Sequence, residues 1–238
     1  MTVLGVAVAC VVALAAAVQI LGGIGFALIS SPLLIVSLGH TNGVRLTLAM
    51  AIVVNSVVLA RHHRQVRFPD VARLLVPALI FVVPALLVSS RLGGPAVSVA
   101  SGVAILLAAA VLVSGRRVGW IDGPAGAVAA GASSGVLNVL AAISGPPVAL
   151  FAAHRGWGPL VTTATLQAYA LPLNVVTLAA LGLPRGHGGY LGWAVVGLVV
   201  GSAVALPLTF RVSRTLLRWV TLAVAAGGGL VLILRGLI

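Results

Sequence analysis

Eight positions in this sequence place hydrogen-bond donors inside otherwise apolar runs: Gly23, Gly25, Asn55, Asn138, Ser144, Gly145, Gln167 and Asn174. The Asn and Gln carboxamides and the Ser hydroxyl donate without carrying charge. Glycine lets a backbone N–H come close to a ligand. Together these groups suit a small oxyanion. Gln167 and Asn174 lie two helical turns apart, on one face. Gln19, Ser30, Ser31, Ser133, Ser134 and Tyr169 also sit in apolar stretches. The bland alternative is hydrogen bonding between helices, worth about 0.6 kcal/mol on average in membranes. A lone Ser is read that way, whereas Asn138, Gln167 and Asn174 stay open between the two roles.

The elements that position these residues are two interruptions. Ser144-Gly-Pro-Pro147 breaks one apolar run, and Gly22-Gly-Ile-Gly25 with Pro32 breaks another. Proline has no N–H and glycine takes dihedrals other residues avoid. Inside hydrocarbon every freed backbone group needs a partner, so such a break must pack in protein or line a wet cavity. Paired breaks in corresponding halves of a chain point to a transporter binding site. Helix N-termini meeting there would offer unpaired N–H groups and partial positive charge to an anion.

The chain has 238 residues, 61% of them hydrophobic and 7% charged, with a mean hydropathy of +1.24. That composition specifies an all-α polytopic membrane protein. All 14 basic residues are arginine, and they punctuate apolar runs instead of clustering. Their expected partners are lipid phosphates and water, not nucleic acid. The single Cys10 excludes an internal disulfide. The segment around it, Met1–Leu21, reads as a retained helix, because no basic residue precedes Cys10 and the apolar run continues past it. There is no His/Glu spacing for zinc, no phosphate loop and no Ser/His/Asp grouping. No metal, cofactor or catalytic group is therefore expected, and the chain does not read as an enzyme. The two acids, Asp70 and Asp122, are expected in loops, which argues against a carboxylate relay of the kind that carries protons or sodium.

Hydropathy predicts ten segments: 2–21, 24–39, 43–60, 71–91, 95–114, 124–141, 143–154, 160–182, 190–210 and 217–236. Residues 2–39 as one helix would be about 57 Å long against a core of about 30 Å, so the chain must turn near Gly22–Gly25. Segments 24–39 and 143–154 are short enough to penetrate only partway. The order of segments repeats after roughly 115–120 residues, with Asn55-Ser-Val-Val-Leu59 paralleling Asn174-Val-Val-Thr-Leu178. This divides the chain into two membrane repeats, 1–118 and 119–238. If each segment returns the chain, ten of the 14 arginines fall on one side. The positive-inside rule then puts the 61–70 loop in the cytoplasm and both termini outside. Five segments per half make the second repeat inverted. If the short segments re-enter alone, the arginines split much more evenly, so inverted repeats are preferred.

Gly23-Ile-Gly-Phe-Ala-Leu-Ile-Ser-Ser-Pro-Leu-Leu34 resembles the first motif of the sulfite exporter TauE/SafE family. Ser134-Gly-Val-Leu137 with Ser144-Gly-Pro-Pro-Val148 resembles the second. Ala164-Thr-Leu-Gln-Ala-Tyr-Ala-Leu-Pro-Leu-Asn174 is similar to the helix that follows. The resemblance spans roughly residues 3–237. It implies an inner-membrane permease exporting sulfite or small organosulfur anions such as sulfonates, with about eight spans. The chain departs from the family pattern at Phe26, Asn138, Val139, Ala142 and Ser144, where glycine is common; these changes narrow or re-polarise the site. The expected partners are a small anionic substrate and membrane lipids. A permease for a different solute, including uptake, and a membrane assembly subunit without transport are the alternatives.

Overall fold

The structure is a computed structural model describing residues 2–114, 123–184, 189–208 and 212–238. Its described residues form ten α-helices: α1 (Thr2–Gly22), α2 (Phe26–Leu38), α3 (His40–His62), α4 (Phe68–Arg91), α5 (Gly94–Ser114), α6 (Pro124–Ala141), α7 (Gly145–His154), α8 (Pro159–Leu181), α9 (Gly189–Leu208) and α10 (Arg214–Leu237). One 3₁₀ turn, His63–Gln65, joins α3 to α4. Eight helices are long and apolar enough to cross a membrane. The other two, α2 and α7, have 13 and 10 residues. At 1.5 Å per residue they are about 20 and 15 Å long, half-helices in a bilayer of about 30 Å. The outer surface is apolar: Val76, Ile80, Val83 and Leu87 on α4 and Val195, Val196 and Val199 on α9 are exposed. This is a multi-pass membrane protein.

Close helix contacts fix the directions. Gly197 and Gly201 of α9 press on the backbone of Ala9 and Ala13 of α1, so these helices run parallel. Gly131 and Gly135 of α6 meet Leu74 and Ala78 of α4 in the same sense. Helices α5 and α10 run antiparallel, because Gly102 meets Gly229 while Gly236 meets Pro95. Helices α3 and α8 are also antiparallel: Arg45, near the start of α3, donates to the Leu181 carbonyl at the end of α8. Small residues at these crossings let backbones approach, as membrane packing requires. With neighbouring spans alternating, this set of directions needs both short helices to turn the chain back.

Asp70 lies in the first turn of α4, not in a loop, and is 2% exposed. It accepts from Arg67 Nε at 2.7 Å and lies 3.4 Å from Arg73 Nη1. A carboxylate in a first turn is favoured by the helix dipole, and the two arginines neutralise it at the end of a span. Asp122, Arg116, Arg117, Arg185, Arg211, His187 and the 118/119 boundary lie outside the described residues.

Candidate functional site

The two interruptions come together. After α1 the chain turns through Gly23 (φ 80°) and Gly25 (φ 137°) into α2. After α6 it turns through Ala142 (φ 56°) into α7, whose first turn carries Pro146 and Pro147. A Cβ on Gly145 would lie 3.4 Å from Ile24 Cγ2, so one break sits on the other. The second turn is tied down by Ser134, whose hydroxyl donates to the Ser144 carbonyl at 2.6 Å.

Between the breaks is a cavity of about 50 Å³. A water needs about 10–15 Å³ of such space, so the cavity fits a solute of a few heavy atoms. Seven of the eight predicted site residues line it: Gly23, Gly25, Asn55, Ser144, Gly145, Gln167 and Asn174. Asn138 does not. It is fully buried behind the wall, where its Nδ2 donates to Asn174 Oδ1 at 2.8 Å.

Sequence reasoning passed over Gln19 as a site residue, and it proves to be the hub. Gln19 Oε1 accepts the Phe26 N–H at 3.0 Å. Its Nε2 donates to Asn55 Oδ1 at 3.3 Å and to Gln167 Oε1 at 3.1 Å. Gln167 Nε2 in turn donates to the Gly23 carbonyl at 2.9 Å. One signal was available: Gln19 and Asn55 are 36 residues apart, as are Asn138 and Asn174.

The donors left for a solute come from three places. The first ladder bond of α2 is Ile29 N–H to the Gly25 carbonyl. The N–H groups of Ala27 and Leu28, both lining the cavity, therefore have no partner within the helix. The amide nitrogens of Asn55 and Asn174 are the second source. Helix α7 gives less than an ordinary N-terminus, because Pro146 and Pro147 have no N–H; Gly145 is its donor. Among the described residues no carboxylate lines the cavity. The site is thus a small, uncharged, donor-rich hollow inside a membrane bundle.

A family model, Sulfite exporter TauE/SafE, matches residues 8–232. The chain belongs to the sulfite exporter TauE/SafE family. No curated protein and no solved structure matches it. Membership of a sulfite exporter family, together with eight apolar spans, makes this TauE/SafE chain a membrane transporter. Of the three stretches that carry the resemblance, two hold the turns on either side of the cavity and the third lies on α8, with Gln167 and Asn174. Phe26 gives its N–H to Gln19 and lines the hollow; Ser144 gives its carbonyl to Ser134.

Proposed function

We propose that this TauE/SafE protein exports sulfite or a small organosulfur anion across the inner membrane. The observation that carries the reading is the cavity between the two breaks, which presents N–H donors and, among the described residues, no carboxylate. Size favours a compact anion over a bulky sulfonate. An inside-negative potential drives an anion outward by about 2.3 kcal/mol per charge per 100 mV, so export needs no coupling ion.

The mechanism we favour is alternating access between two inverted repeats, 1–118 and 119–238. Several matched positions support it. The short helices start at Phe26 and Gly145, the long ones after them at His40 and Pro159, each behind a glycine, Gly39 and Gly158. The left-handed turn residues Gly23 and Ala142 keep the same interval. Packing exchanges accordingly: α1 lies on α9 as α6 lies on α4, while α5 pairs with α10 and α3 with α8. Rocking one half against the other would open the cavity to each side in turn.

The test is flux from proteoliposomes loaded with labelled sulfite, a small sulfonate or thiosulfate. Sulfite efflux that grows with an inside-negative potential is expected. Absence of flux for every anion overturns the reading. Movement of a different solute alone leaves a permease with another substrate.

A further inference from the structure

An amide side chain can present either its N–H₂ or its oxygen to a ligand, and the choice decides whether the ligand must accept or donate. At Asn55 that choice is fixed by two backbone groups some distance away. The Phe26 N–H can only donate, so the Gln19 atom 3.0 Å from it is Oε1. Gln19 Nε2 then faces Asn55 and Gln167, and the atoms it meets there must be oxygens. The far end of the chain agrees: the Gly23 carbonyl can only accept, so the Gln167 atom facing it is Nε2. One orientation of three carboxamides satisfies both ends. Reversing any one of them sets donor against donor or acceptor against acceptor, at a cost buried groups do not tolerate.

Asn55 is 4% exposed and lines the cavity. Its Oδ1 is held by Gln19. Its Nδ2 has no partner among the described residues, yet it is not one of the sealed buried atoms. We infer that Gln19 is a positioning residue that locks Asn55 with its N–H₂ toward the cavity, making Asn55 the fixed donor that selects a small oxyanion. This rests on the anion reading above and names the residue that enforces it. The corresponding pair, Asn138 and Asn174, has no backbone anchor: Asn138 Oδ1 is buried without a partner. Asn174 is therefore free to reverse together with Asn138, and the two halves of the site are unequal.

A double-mutant comparison in proteoliposomes, with sulfite as the probe, tests this. Asn55→Leu is expected to raise the half-saturating sulfite concentration roughly 10- to 100-fold, the effect of losing one hydrogen bond to a charged group. Gln19→Leu should raise it by a similar factor, and the double variant no further than Asn55→Leu alone. Asn138→Leu should have a smaller effect than Gln19→Leu. Where Asn55→Leu does not insert, Asn55→Ala replaces it in the same cycle. Effects of Gln19 and Asn55 that multiply overturn the positioning role, as does an Asn55 variant with native sulfite affinity. Both failures are distinct from failure of the parent reading, which would leave the native protein itself without sulfite flux.

Discussion

At Gly23 the backbone sits at φ 80°, and a Cβ there would overlap the Thr163 hydroxyl. At Ala142, the matching turn, φ is 56° and the residue already has a Cβ. A non-glycine residue pays about 1–2 kcal/mol in the left-handed region. Gly23→Ala adds that strain to a steric overlap, so it should lower stability by at least about 2 kcal/mol. Ala142→Gly relieves strain and loses some unfolded-state restriction, so it should stay within about 1 kcal/mol of native or exceed it. Thermal unfolding in detergent measures both. Ser134→Ala removes the hydroxyl that satisfies the buried Ser144 carbonyl and should cost about 1–3 kcal/mol by the same measurement.

Helix packing argues at the next scale, because the glycines at α1–α9 and α4–α6 have no room for a side chain. A Cβ on Gly197 would overlap the Ala9 carbonyl, and one on Gly135 the Ala78 carbonyl. Gly197→Val and Gly135→Val should each prevent a monodisperse protein in size-exclusion chromatography. Gly227→Val on α10, where nothing lies within 4 Å, should not. The contrast also shows what a sequence discloses. All ten helices were legible, since hydropathy and length are local properties and Gly/Pro breaks mark their ends. Which glycine is a seam and which is open depends on the partner helix, and no local pattern records that. Gln19 was hidden for the same reason. Apart from the Phe26 N–H seven residues on, its partners are 36 and 148 residues away, and no local pattern joins them to it. Asp70 was misplaced because Phe68 and Pro69 start α4 earlier than the hydropathy of 71–91 suggests.

At the scale of the molecule, the described arginines sort to two ends. Arg67 lies 5.4 Å from the centre of the Trp157 ring, near Arg61, Arg64 and Arg155 in the chain segments that close that end. Arg218 donates to the carbonyls of Leu112 and Val113 at the close of α5. At the other end, Arg45 donates to the Leu181 carbonyl and Arg235 to Val36. These contacts join segments that are many residues apart in sequence, and with alternating spans they fall on the two sides that the arginine count assigns. The richer face should be cytoplasmic. Replacing the lone cysteine by Cys10→Ser leaves a background for single new thiols. Leu183→Cys, at an exposed site beside the Arg45 end, should react with a membrane-impermeant maleimide on intact bacterial spheroplasts. Arg64→Cys should react only after the membrane is permeabilised. The opposite pattern would reverse the topology, and with it the direction in which the membrane potential drives an anion relative to the two turns. Equal labelling of both in intact spheroplasts would mean that the two faces are not on opposite sides of the membrane, and alternating access between halves would have no physical basis.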